Sequence, residues 1–309
     1  MTKKEARIIF IGTPDFAVAS LEALIKNNFN VVAVLTAPDK AAGRGMQVQM
    51  SAVKQFALLN KIPVLQPISL KDETFQNILA SYKADVQVVV AFRMLPEKIW
   101  NMPPLGTFNV HGSLLPKYRG AAPIQHAIIN GESETGVTTF KLKHEIDTGD
   151  ILLQKKIPIL EEDNFESLYN KLQEAGANLI VETLEKLFKN ELIETPQIFT
   201  DDLPIAPKIF KEFCEIKWQL EGKKIINFIK GLSPYPAAFT ILNSKKMKIF
   251  SAVFVEENHG KENGKIESDQ KTFLKFSCAN GWIFLHEIQL EGKKKMHVDE
   301  FLRGYKLDV

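Results

Sequence analysis

The sequence predicts an α/β fold: a doubly wound, mostly parallel, Rossmann-like sheet followed by a small, OB-like β-barrel as a C-terminal domain. Three observations carry this. Through the first 190 residues, nearly continuous β-branched apolar runs alternate with stretches of helical periodicity, as strands buried on both faces alternate with covering helices. The last hundred residues change to short β-rich runs separated by turn signals. Charge changes with them: residues 208–309 hold 18 Lys and Arg against 13 Asp and Glu, whereas residues 1–207 hold 21 against 24.

Taken in order, "ARIIFIG" is an apolar strand stopped by Gly12-Thr13-Pro14, "DFAVASLEALIKNN" places apolar residues at helical spacing, and "FNVVAVLT" is a second buried strand. After a polar loop, "SAVKQFALLNK" and "SLKDETFQNILASYK" read as helices, the second capped at Ser69 with Asp72 three residues on. "ADVQVVVAF" and "GTFNVHG" are strands, "AAPIQHAIING" a short helix, and "TGVTTFKL" a strand. The turn "EIDTGDIL" leads into the strand "DILLQKKIPI", and a long helix over residues 164–190 closes a domain of residues 1–190. Residues 191–207 lie in "ELIETPQIFTDDLPIAPK", rich in Pro and acids and without periodicity, which predicts a surface linker. Residues 208–309 form the barrel domain, with the helix "GKKIINFIKGL" and the strands "AFTILN", "KMKIFSAVFVEE", "TFLKFSC" and "GWIFLHEIQL", the last two joined at Asn280-Gly281.

Composition bounds the function. With 309 residues, 45% hydrophobic and 25% charged, the chain is globular material large enough for two domains. Cys214 and Cys278 stand far apart, which predicts neither a disulfide framework nor a zinc site and fits a reducing compartment. The four-residue apolar run before Gly12 is too short for a signal-peptide core, and no segment reaches membrane-span length, so the expectation is a cytoplasmic protein without a membrane partner. The basic last third points to nucleic acid, or to nothing more than a solvated lysine-rich surface.

Several chemistries drop out. Pro14 stands where a dinucleotide fingerprint needs its second Gly, no phosphate-binding loop motif occurs, and the histidines form no metal-ligand spacing. Ser113 near His111 lacks the G-x-S-x-G elbow of a serine hydrolase. What remains is Asn109 and His111, two apart and therefore on one face at the carboxyl end of a strand, with Asp147 in the D-T-G-D turn as the nearest candidate carboxylate. A carboxylate fixes the tautomer of a His, and an Asn amide is a neutral donor; the set suits a reaction in which the substrate brings its own nucleophile and the enzyme handles protons and an oxyanion. Acyl transfer to an amine is such a reaction, and a structural role for a strand-end Asn and His is the other reading.

The block "NVHGSLLPKYRGAAPIQHAIINGESETGVTTFKL" followed by "IDTGDIL" resembles the signature of the folate-dependent formyltransferases. "IIFIGTPDFAVASLEAL", "APDKAAGRG", "VVVAFRMLP" and "QLEGKKKM" extend the resemblance, in order and spacing, across the chain. It implies the catalytic set Asn109, His111 and Asp147, 10-formyltetrahydrofolate as formyl donor without a metal, and the methionine amine of initiator Met-tRNA as acceptor, on a monomer. It further implies that Arg93, Met94, Leu95 and the run Ser113, Leu114, Leu115 and Pro116 line the folate, that Phe16 lies near the methionine side chain, and that Arg44 reaches the tRNA. The chain departs from the pattern after Gly45, where Met46 and Gln47 replace the usual lysines. An amino-sugar N-formyltransferase shares the catalytic core and stands as the alternative, which the basic last third and the loop around Arg44 disfavour. A glycinamide-ribonucleotide formyltransferase would need a phosphate loop at "GTPDF", and a silent RNA-binding relative would not need the intact set.

Overall fold

The computed structural model describes residues 2–42 and 47–307. They divide into two compact units, one made of Met1–Gly120, Thr135–Pro158 and Tyr169–Ile205, the other of Ala121–Glu134, Ile159–Leu168 and Ala206–Val309. In chain order the elements of the first half are β1 (Arg7–Gly12), α1 (Asp15–Lys26), β2 (Asn30–Leu35), the hairpin strands β3 (Lys40–Ala42) and β4 (Gln47–Gln49), α2 (Ala52–Leu59), β5 (Val64–Leu65), α3 (Glu73–Ser81), β6 (Val86–Val90), α4 (Glu97–Trp100), β7 (Thr107–His111) and β8 (Arg119–Gly120). They are followed by α5 (Pro123–Ile129), β9 (Glu134–Lys141), β10 (Ile151–Pro158), α6 (Phe165–Phe188) and β11 (Ile205–Ala206).

The first unit is the expected doubly wound sheet, in the order β10-β9-β7-β6-β1-β2-β5. β1 pairs in parallel with both β2 and β6, and β6 with β7; β9 runs antiparallel to β7. The path leaves β1 in opposite directions through β2 and β6, so a crevice opens at the carboxyl ends of β1 and β6. Gly12 closes β1 there, and its reason is space: a Cβ would lie 2.6 Å from that of Ala17 and 2.9 Å from the Val90 carbonyl. Ile9, Ile11, Ala33, Leu35 and Val89 form one apolar face with Phe75 and Leu79 of α3 and Ile99 of α4, all under 10% exposed. Fully burying each large side chain contributes about 1.5–3 kcal/mol.

Helix starts follow hydrogen-bonding groups. Ser51 caps α2 by accepting from the Lys54 amide. For α3 the cap is Asp72 rather than Ser69: Asp72 accepts from the Thr74 amide, while the Ser69 hydroxyl is used in a turn by the Lys71 amide. On α6, Gly176 permits close approach to β7, since a Cβ would lie 2.9 Å from Val110 Cγ1. That contact occupies one face of β7 and leaves Asn109 and His111 to the other. The stretch expected as a linker is tied to the first unit at Thr195, which exchanges two 2.8 Å backbone hydrogen bonds with Ile151.

The second unit adds α7 (Gly222–Leu232), β12 (Ala238–Leu242), β13 (Lys245–Glu256), β14 (Ile266–Ser268), β15 (Leu274–Cys278), β16 (Gly281–Leu290), β17 (Met296–His297) and α8 (Val298–Gly304). Its sheet runs β12-β13-β16-β15-β14 with β17 on β16, the expected small barrel as a curled antiparallel sheet. Register shifts in β13 between Ile249 and Ala252 bend the long β13–β16 ribbon. β12 and β13 close through Asn243 and Ser244, both left-handed, a type I′ hairpin turn. β15 and β16 turn through Ala279 and Asn280, with Gly281 already paired to Cys278. Inside, Trp218 stacks on Phe276 at 4.4 Å and donates to Thr240 Oγ1 at 3.1 Å. Within this unit α5 packs on α7, where a Cβ at Gly231 would lie 2.6 Å from Ile129 Cγ1.

Candidate active site

β7 holds the site by being interior to the sheet. Asn109 pairs with Val89 on one side and Phe140 on the other, and His111, the last residue of the strand, pairs with Thr138. His111 is 6% exposed. Its Nε2 lies 2.9 Å from the Tyr118 carbonyl, a partner that only accepts, so Nε2 carries the proton and donates. Nδ1 faces Asp147 Oδ2 at 3.8 Å, beyond hydrogen-bond reach. Asn109 makes no side-chain hydrogen bond among the described residues, which leaves its amide free to donate.

Asp147 reaches the site from a strained turn. It sits at φ +55°, a conformation that costs a non-glycine residue roughly 1–2 kcal/mol. Three contacts hold it there. The Gly120 amide donates to Oδ2 at 3.0 Å, and Gln197 Nε2 donates both to the Asp147 carbonyl at 2.9 Å and to the Gly149 carbonyl at 2.7 Å. Gly149 is obligatory in the same turn, because a Cβ would run into the Lys141 carbonyl. Gln197 is 9% exposed and comes from the stretch expected as a linker.

The run Ser113–Pro116 leaves β7 already bonded. Thr138 Oγ1 donates to the Ser113 carbonyl at 2.7 Å and accepts from the Leu115 amide at 3.1 Å, and Gln154 Nε2 donates to the Leu115 carbonyl at 2.8 Å. Ser113 is fully buried and its hydroxyl closes the turn onto the Lys117 carbonyl. Leu114 packs on Gly136, where a Cβ would lie 2.6 Å from Leu114 Cδ2, Leu115 is 3% exposed, and the Leu115-Pro116 peptide is cis. After β6, Arg93 donates to the Pro67 and Ile68 carbonyls, Met94 is 70% exposed, and Leu95 belongs to the core beside Ile99.

Phe16, at the start of α1, is 7% exposed and meets the Tyr169 ring edge-on at 5.1 Å, while the Tyr169 hydroxyl donates to Asp15 at 2.7 Å. Burial and the Asp15 carboxylate both push the Tyr169 pKa above the ordinary tyrosine range. Arg44 and Met46 lie outside the described residues, and nothing is described of the Gln47 side chain. The structure thus brings His111 and Asp147 together, sets Asn109 on the same strand face, and places Phe16 against α6. Sequence reasoning missed Gln197, Thr138 and the Tyr118 carbonyl. Only Thr138 carried a signal, as a buried polar residue in the strand paired with His111. Among the described residues no group of three or more His, Cys, Asp or Glu is placed to hold a metal ion, and no helix is long and apolar enough to cross a membrane.

Residues 6–184 match the Formyl transferase family, and residues 208–306 match Formyl transferase, C-terminal domain. A methionyl-tRNA formyltransferase of Bacteroides fragilis is 49% identical over 315 residues, which span 99% of this chain and 97% of that protein. Among solved structures, the sugar 3N-formyl transferase WlaRD, crystallised with dTDP and 5-N-formyl-THF, superimposes with a TM-score of 0.67 at 22% identity, covering 94% of this chain and 99% of that one. HypX from Aquifex aeolicus in complex with tetrahydrofolic acid gives a TM-score of 0.65 at 19% identity, over 98% of this chain and 48% of that one. Both structural likenesses speak to the fold, and the sequence matches decide the rest: the chain belongs to the formyl transferase family, in its methionyl-tRNA formyltransferase branch.

Proposed function

We propose that this chain transfers the formyl group of 10-formyltetrahydrofolate to the free amine of methionine on initiator Met-tRNA. The observation that carries the mechanism is the ring orientation of His111: Nε2 is spent on the Tyr118 carbonyl, and Nδ1 faces the Asp147 carboxylate with a gap between them. As the amine nitrogen bonds to the formyl carbon, His111 Nδ1 takes a proton from that nitrogen. The imidazolium so formed stands beside Asp147. Asn109 donates to the formyl oxygen as it becomes an oxyanion, a contact worth roughly 3–4 kcal/mol when well placed. When the bond from the formyl carbon to N10 breaks, N10 takes the proton back from His111, and tetrahydrofolate and formylated tRNA leave. No covalent enzyme intermediate is required.

In this reading residues 1–190 carry the chemistry, 191–207 connect, and 208–309 supply a basic platform for tRNA, on a monomer. Arg93, Met94, Leu95 and Ser113–Pro116 form the folate side. Because the Ser113 hydroxyl and the Leu115 backbone are already bonded, that side recognises the donor through shape and the remaining main chain. Phe16 walls the methionine side chain, and Arg44 contacts the acceptor stem. The 49% identity to a methionyl-tRNA formyltransferase supports tRNA over an amino sugar as acceptor. The deciding assay offers 10-formyltetrahydrofolate with charged initiator tRNA, charged elongator tRNA and an amino sugar in parallel. Formylation of initiator tRNA, lost in His111→Ala and Asp147→Ala proteins with unchanged circular dichroism, is the expected result; near-parental turnover by either variant refutes the mechanism.

A further inference from the structure

Arg119 is a cation that the fold has braced and left unpaired. Its guanidinium lies 4.4 Å above the Phe199 ring, its Nε is closed off from solvent without a hydrogen-bond partner, and no ion pair reaches it among the described residues. Nη1 and Nη2 also make no hydrogen bond there, yet unlike Nε they are not sealed in. The group therefore lies over a ring, with its inner nitrogen against protein and its two-pronged end not sealed from solvent. That end is the geometry that grips an oxyanion with two parallel hydrogen bonds.

Its place in the chain ties this fork to the chemistry. The residue before it, Tyr118, gives its carbonyl to His111, and the residue after it, Gly120, gives its amide to Asp147. Phe199 follows Gln197 by two residues on the stretch that holds the Asp147 turn. The ring is 44% exposed, so the brace also offers aromatic surface beside the charge. A cation coupled to an exposed aromatic ring is the combination that holds single-stranded nucleic acid, phosphate on the cation and base on the ring.

We propose that the Arg119 fork, braced on Phe199, takes a backbone phosphate from the single-stranded acceptor end of the tRNA at the edge of the active site. The assignment rests on the formyl-transfer reading above and adds a contact next to the reacting groups. The test titrates full-length protein with initiator tRNA at 50, 100 and 200 mM salt and measures the donor KM separately. Arg119→Met raises the tRNA Kd on the order of 10-fold and lowers the slope of log affinity against log salt by about 0.7, one single-strand phosphate contact. The donor KM stays within about twofold of the parent, because the donor does not use this fork. Arg119→Lys keeps the slope and recovers part of the affinity, since a point charge replaces the fork. Phe199→Leu keeps the slope and weakens binding about threefold by removing the brace. An unchanged tRNA Kd and slope in Arg119→Met overturns the proposal, as does a rise in the donor KM alone, which would mean that the fork holds a carboxylate of the donor. If Arg119→Met does not fold, the tRNA Kd of Arg119→Lys and Phe199→Leu decides, and a parental value in both overturns the proposal. A parent protein that binds but does not formylate tRNA would count against the reaction, not this contact.

Discussion

Replacing Gln197 by Met removes two donors while keeping the length of the side chain. The Asp147 and Gly149 carbonyls, now 2.9 and 2.7 Å from Nε2, would be left without that partner inside the protein. Each orphaned buried carbonyl costs about 1–3 kcal/mol. Part is returned, because Gln197 Oε1 is itself buried without a partner in the parent. A net loss of about 2 kcal/mol in stability follows. The consequence for turnover is separate. Asp147 is held at φ +55° against roughly 1–2 kcal/mol of backbone strain, and without Gln197 the Gly120 amide is what remains of the three contacts that oppose relaxation of the turn. Relaxation worth about 1.4 kcal/mol depopulates the aligned carboxylate about tenfold. Steady-state kinetics on Gln197→Met therefore show kcat lowered about tenfold with both KM values near parental, alongside a lower melting temperature. A protein that melts earlier but turns over within twofold of the parent would refute the positioning role and leave Gln197 a packing residue.

Two further outcomes follow from the same geometry. Gly149→Ala drives a Cβ into the Lys141 carbonyl and to 3.1 Å from Phe140 Cδ2, so the D-T-G-D turn cannot keep its course; formylation falls more than tenfold in a protein that still shows native circular dichroism. In the second unit, burial holds the His126 pKa below the ordinary histidine value, partly offset by its bond to the Pro207 carbonyl. As pH falls through about 6.5, the unfolded chain takes up that proton and the folded one does not, so this contribution to stability is whole at neutral pH and is lost on the acid side. Urea titrations at pH 7.5 and 5.5 show that loss in the parent and less of it in His126→Gln.

The sheet was legible because burial on both faces leaves long apolar runs, and β1, β2, β6 and β7 lie where those runs predict them. Caps and turns were legible to within a few residues. Ser69 and Asp72 both suit a helix start, and only folding shows that Asp72 takes the Thr74 amide. Asn280-Gly281 marks a hairpin, yet Gly281 belongs to the strand because a Cβ there would meet the Val255 carbonyl. β14, three residues including a Glu and a Ser, has too little pattern to announce itself. In the site, side-chain identity exposed Asn109, His111 and Asp147. It could not expose the partner that fixes the His111 tautomer, because that partner is the main chain of Tyr118. Nor could it expose Gln197, whose neighbours in a Pro-rich acidic stretch have no period to read.

The second unit is assembled from three separated pieces of chain, and α5, from the middle of the sequence, is what α7 near the C-terminus packs on. A gene cut near residue 208 would therefore produce not a free-standing module but one missing a wall, with Gly231 and its helix turned to water. Exchange of C-terminal modules between relatives would have to carry residues 121–134 and 159–168 along with the last hundred, so this unit is inherited through the middle of the chain as well as through its tail.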